Sequence, residues 1–295
     1  MTFYCVNEEM GIFLEDILNK LANENRSYLL KDIAITWIKI RNDKKTKSYY
    51  GYGINNNLQI YPASVVKLVY GLAMNCWIKK GILISNEEIN DAVYRMLYHS
   101  SNDATSLVID LLTGTTSGPS LEGDSWMNWK FQREIINDWL KNFQWEELKG
   151  FNCCQKTWED RPYGRENDFY GSNGENKNQM TTDGTARIMI EIMQNIQYEA
   201  DNINLKKFLF RELNKEHLKK DPNNQIVGFL GEGFPTWIPL WSKAGLMSKV
   251  RNDIVWWSDD SQSDNLLVVF GNNKNFVDDK EIFPELAQAI YKFNK

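Results

Sequence analysis

In the run YPASVVKLVYG, residues 61 to 71, a serine and a lysine stand three positions apart at the head of an apolar stretch. A free serine hydroxyl is a poor nucleophile until a partner removes its proton. If Ser64 lies in the first turn of a helix, Lys67 falls on the same face. Burial would lower the pKa of the ammonium and leave a neutral amine to act as base. The helix start adds backbone N–H groups and a positive dipole end, both suited to a developing oxyanion. The chain has two histidines, His99 and His217, so a Ser-His-Asp triad is hard to build.

By itself S-x-x-K is weak evidence, because a capping serine and a lysine reaching for solvent give the same letters. Two further segments narrow the reading. YHSSNDATSLVIDLL, from residue 98, puts Ser100, Ser101 and Asn102 just before an apolar helix. PLWSKAGLMS, from residue 239, puts Lys243, Ala244 and Gly245 on an expected strand.

With S-V-V-K, S-S-N and K-A-G in this order, the chain resembles the penicillin-recognising serine hydrolases. These are the serine β-lactamases, chiefly class A, and the penicillin-binding D-alanyl-D-alanine peptidases, whose motif set is S-x-x-K, S-D-N and K-T-G. The resemblance runs from about residue 30 to the end. It implies acylation of Ser64, with Lys67 helping to deprotonate it and Ser100 relaying a proton to the leaving group. It implies that Asn102 holds Lys67 and the substrate's amide carbonyl, and that Lys243 supplies positive charge near the substrate carboxylate. The N–H groups of Ser64 and Leu246 would form the oxyanion hole, and Gly245 would let the strand approach the ligand closely. The implied substrate is a small amide or ester, a β-lactam among them. The alternatives are a D-alanyl-D-alanine peptidase or an esterase on the same fold, or a silent binding protein.

The chain also departs from the family pattern. The register Ser101-Asn102-Asp103 is an alternative to Ser100-Ser101-Asn102; in the latter, Asp103 would cap the following helix. Ala244 lacks the hydroxyl that normally donates to the substrate carboxylate, a loss of about 1–3 kcal/mol if that group must still be paired. Ser242, Ser248 or Arg251 would have to compensate. Only 36 positions separate Ser64 from Ser100, which implies a more open cleft. Class A enzymes carry a glutamate on an omega-shaped loop to activate the deacylating water. Glu166, some fifteen positions before Thr181-Thr182, is the expected base, with Glu159 and Asp160 as fallbacks. Without such a base the acyl-enzyme would be long-lived.

These residues need elements to hold them. Met10, Phe13, Leu14, Ile17, Leu18 and Leu21 follow helical spacing. DIAITWIKIRN and SYYGYGI read as strands joined by a hairpin turn at DKKTK. Helices follow from residue 64: Leu107, Val108, Leu111 and Leu112 line one face, and Phe131, Ile135, Ile136, Trp139, Leu140 and Phe143 another. A polar Gly- and Asn-rich stretch fills 152–180, and Thr181 or Thr182 then caps a helix. Three strands return after residue 236, and FPELAQAIYKF closes the chain as a helix. The sum is an α+β fold: a five-stranded antiparallel sheet flanked by terminal helices, with an inserted all-helical lobe. The expected division is 1–63 plus 208–295 for the sheet domain and 64–207 for the lobe, with the active site between them.

Composition excludes several classes. A net charge of -5 and a pI near 5.3 argue against a nucleic-acid partner. No apolar run reaches the ~18 residues of a membrane span. Cys5, Cys76, Cys153 and Cys154 show neither a disulfide framework nor a C-x-x-C metal pair, and no cofactor is expected. The expectation is a monomer, cytoplasmic as the sequence stands because no signal peptide is seen, or periplasmic if a leader was omitted.

Overall fold

The computed structural model describes residues 2–24, 26–42, 47–194, 204–221, 223–258 and 263–293. The turn expected between the first two long strands, residues 43–46, lies outside the described residues. The chain divides into two compact units. One comprises Met1–Val65, Thr181–Arg187 and Leu209–Lys295; the other comprises Val66–Met180 and Ile188–Phe208. The segment Thr181–Arg187, expected in the helical insert, thus belongs to the sheet unit.

The strands are β1 (Cys5–Val6), β2 (Ile33–Asn42), β3 (Lys47–Ile54), β4 (Phe210–Arg211), β5 (Leu240–Met247), β6 (Val250–Ser258) and β7 (Ser263–Gly271). They form one sheet in the order β1-β3-β2-β7-β6-β5-β4. The expectation of five strands is corrected to seven among the described residues. The five long strands are antiparallel, as expected, while the two-residue pieces β1 and β4 close the edges and β1 runs parallel to β3. Two residues are too few to show an alternating pattern, so neither edge piece is visible in sequence.

One sheet face carries the core of this unit. Trp37, Leu240, Ala244, Val255, Trp257, Leu267 and Val269 pack with the first and last helices, Glu8–Asn23 and Ile282–Phe293. The first helix starts at Asn7, whose side chain accepts the N–H of Met10, and buries Met10, Leu14, Leu18 and Leu21. This is the spacing that its apolar residues set.

The second unit is built on the helix Lys67–Lys79, of which every residue from Lys67 to Trp77 is buried. A helix buried all round belongs at the centre of a core. Around it stand Glu87–Tyr98, Asn102–Thr113, Gly123–Arg133 and Ile135–Lys141. The single apolar face expected over 131–143 is broken between the last two helices. Trp129 and Arg133 are buried, whereas Phe131 is 75% exposed. The polar stretch 152–180 is ordered by its own amides: Asn178 Oδ1 accepts the N–H groups of Cys154 and Gln155, and Asn152 pairs with Gln179. Among the described residues no helix is long and apolar enough to cross a membrane.

Candidate active site

Residues Ala63–Val66 form a 3-10 turn that runs directly into the helix Lys67–Lys79. Val66 has helical dihedrals, so Ser64 and Lys67 are one turn apart on a continuous helical run. Ala63 has φ 48°, in the left-handed region that side chains with a Cβ avoid. Such strain persists only where neighbours over-determine it. They do so here. Asn252 of β6 donates Nδ2 to the Tyr61 carbonyl at 2.9 Å, and its Cα is in register with Gly245 of β5. A Cβ added at Gly245 would lie 2.6 Å from Pro62 O and 3.0 Å from Ser64 N. Glycine at 245 is therefore what lets the strand sit against the backbone that carries Ser64.

The outer edge of β5 shows which way its peptide groups point. Ser242 O accepts from Arg211, and Ala244 N donates to Gln225 Oε1 at 3.1 Å. Alternate residues of a strand aim their polar backbone groups at the same edge. The amide of Leu246 therefore points outward too, beyond the end of β4, and its side chain is exposed. Lys243 is fully buried and donates to Gln225 Oε1 at 2.5 Å and to Ala244 O at 2.8 Å. The methyl of Ala244 packs into the core, among Leu240 and Val255.

In the second unit Lys67 is fully buried, and its ammonium donates to Ser100 O at 2.6 Å, Ser100 Oγ at 3.2 Å and Asn102 Oδ1 at 2.9 Å. Burial pushes its pKa down to about 7, against a smaller opposing pull from Glu159. Ser100 has φ 58°, a second strained residue that is not glycine. Ser101 caps the helix Asn102–Thr113, its Oγ accepting the N–H of Ala104. This corrects the expectation that Asp103 caps it. It also separates the two serines: one faces the lysine and the other is used by the helix end. Asn102 is held from three sides. Its Oδ1 accepts from Lys67 and from Thr157 Oγ1 at 2.7 Å, and its Nδ2 donates to Glu159 Oε1 at 2.8 Å.

Three expected roles meet contrary geometry. Glu166 is fully buried on the short helix Arg165–Tyr170, and its carboxylate is clamped by both terminal nitrogens of Arg133, at 2.7 and 3.0 Å. Ser117 Oγ donates to the same carboxylate at 2.8 Å, and Lys156 stands 3.6 Å away. Both oxygens are engaged in a buried ion-pair cluster, which is contrary to the role of water-activating base expected of Glu166, whereas the fallback Glu159 is exposed. Arg251 is 2% exposed and donates to the carbonyls of Gly228, Phe276 and Val277, which leaves it unable to grip a substrate carboxylate. Ser242 is fully buried with Arg211 Nε on its hydroxyl at 3.3 Å, so it cannot replace the missing hydroxyl of residue 244.

Sequence reasoning missed Gln225, Thr157, Asn252 and Arg133. Each acts through side-chain bonds to partners distant in sequence, and no local pattern marks such bonds. Cys153 and Cys154 are both fully buried, and burial raises their thiol pKa values. A buried neutral thiol is a poor nucleophile.

No protein-family model matches the chain, and no curated protein sequence matches it. Solved structures do. A β-lactamase from Chitinophaga pinensis aligns at TM-score 0.64 and 12% identity, over 96% of this chain and 99% of its own. The class A β-lactamase of the last common ancestor of Gram-negative bacteria aligns at TM-score 0.63 and 14% identity, over 96% and 99%. A mutant of PBP-A, solved as an acyl-enzyme complex with penicillin G, aligns at TM-score 0.62 and 12% identity, over 95% of each chain. An antiparallel sheet with both terminal helices packed on one face, and a helical insert, give this chain the fold of the class A β-lactamases and PBP-A.

Proposed function

We infer that the protein is a serine hydrolase that works through an acyl-enzyme on Ser64, with a strained amide such as a β-lactam as its substrate class. The observation that carries this reading is Lys67: a fully buried lysine, half neutral near pH 7, one turn after Ser64 and hydrogen-bonded to Ser100 and Asn102. A buried lysine with no chemistry to perform is a poor use of a core position. The fold likeness supports the same reading.

In this mechanism neutral Lys67 takes the Ser64 proton, and Ser64 Oγ attacks the carbonyl carbon. The resulting oxyanion is met by the N–H groups of Ser64 and Leu246. The C–N bond breaks, the leaving nitrogen receives its proton through Ser100, and the acyl group stays on Ser64. Lys243 supplies positive charge for a substrate carboxylate. Asn102 positions Lys67 and the substrate amide. Water then attacks the acyl carbon, gives its proton to Glu159, and Ser64 departs with a proton.

One observation favours a second reading. With Glu166 held by Arg133, deacylation rests on the exposed Glu159. A slow second step would make the chain a penicillin-binding acylase with a persistent adduct. Intact-protein mass after brief exposure to a penicillin, a cephalosporin and a serine-reactive phosphonate, with Ser64→Ala as control, separates the cases. Hydrolysed β-lactam without an adduct supports a β-lactamase, and a lasting β-lactam adduct supports the second reading. Labelling by phosphonate alone moves the substrate to other esters or amides. No labelling of folded protein by any probe overturns the hydrolase.

A further inference from the structure

The sheet unit contains a cavity of about 280 Å³ that the chemistry at Ser64 does not use. Its wall is apolar, formed by Leu213, Leu218, Ile226 and Phe234. Two large apolar side chains here are exposed: Val227 of the wall at 52%, and Trp237, one residue after the lining residue Thr236, at 59%. Large apolar side chains exposed beside a cavity are a common mark of a binding surface.

Three charged side chains stand at this opening, and two are engaged. Lys219 donates to Glu216 at 2.8 Å, and Glu232 Oε2 accepts the N–H of Gly228 at 2.6 Å. The third, Lys215, makes no ion pair among the described residues. An apolar chamber with one uncommitted cation at its rim matches a ligand with an apolar tail and a single negative head. A chamber of this size has room for an alkyl tail of several carbons.

We propose that this cavity binds an amphipathic monocarboxylate of medium chain length, with its tail among Leu213, Leu218, Ile226 and Phe234 and its carboxylate on Lys215. The site is independent of Ser64, so either reading can fail without the other. The test is calorimetric titration of the full chain with decanoate, decylamine and decanol, each below its micelle concentration. Decanoate is expected to bind saturably at one site, about tenfold or more tighter than decylamine, which is cationic at neutral pH. Lys215→Glu, at an exposed position, should reverse that preference. Leu218→Trp should fill the chamber and weaken all three compounds. Absence of saturable decanoate binding, equal binding of acid and amine, or an unchanged preference in Lys215→Glu overturns the proposal.

Discussion

Asn102 Nδ2 lies 2.8 Å from Glu159 Oε1. The other end of the same amide lies on Lys67, so one short side chain spans the base proposed for acylation and the base proposed for deacylation. Neither charged group is aimed by its own rotamer alone. The three form a relay whose geometry is set by the first residue of the helix Asn102–Thr113 and by Thr157, which fixes the amide's orientation.

Acylation should follow the neutral form of Lys67. Its pKa is lowered to about 7, so the reactive fraction falls about tenfold for each pH unit below that value and levels off above it. Phosphonate labelling of Ser64 from pH 5 to 9 should trace this curve. Lys67→Met should slow labelling by about 10²–10⁴-fold and abolish the midpoint. A rate that is flat across the range would remove Lys67 as the base.

The two candidate glutamates should separate cleanly. Glu159→Gln should leave adduct formation nearly unchanged and slow adduct loss by about 10²–10⁴-fold. Glu166→Gln should act on stability instead, because it takes from the buried Arg133 its nearest carboxylate and leaves only Asp110 at 3.7 Å, at a cost of about 3–5 kcal/mol. Thermal unfolding alongside adduct lifetimes checks both. Normal stability with stalled deacylation in Glu166→Gln would restore Glu166 as the base.

Gly245→Ala should damage the nucleophile without touching it chemically. The added methyl meets backbone atoms of Pro62 and Ser64, neither of which can swing aside as a side-chain tip can. Overpacking of this kind costs about 1–3 kcal/mol, and a displaced Ser64 should lose about 10²-fold in labelling rate. Labelling at the parental rate would show that the strand does not set the position of Ser64.

Asp253 should make stability fall as pH rises. It is fully buried, accepts the N–H groups of Leu230 and Ile254, and burial raises its pKa to about 7. The folded chain therefore holds a proton between about pH 4 and 7 that the unfolded chain has released. Stability contributed by this group is complete below about pH 4 and is lost as pH climbs to about 7, by about 2–4 kcal/mol. Denaturant midpoints at pH 4.5, 6 and 7.5 test this. Asp253→Asn should flatten that slope while lowering stability at every pH, since its amide can accept only one of the two N–H groups.

What could be read in advance was whatever local spacing dictates. Ser64 and Lys67 are a helical pair, and the apolar run after them forces the lysine inside. The long strands and terminal helices follow from alternation and from the 3.6-residue period. Partners distant in sequence could not be read. Glu159 and Glu166 lie seven positions apart and look alike as letters; that Arg133, thirty-three positions upstream, holds Glu166 is not visible in the sequence. Arg251 looks available in sequence because its partners are backbone carbonyls, which every residue has and no pattern reveals.

The left-handed Ala63 has a consequence for the evolution and redesign of this fold. Glycine there would relieve roughly 1 kcal/mol of strain. A screen for thermal robustness would therefore be drawn to that substitution. It would also loosen the turn that aims Ser64, trading accuracy of attack for heat resistance. Position 63 is a place where selection for durability and selection for catalysis pull in opposite directions.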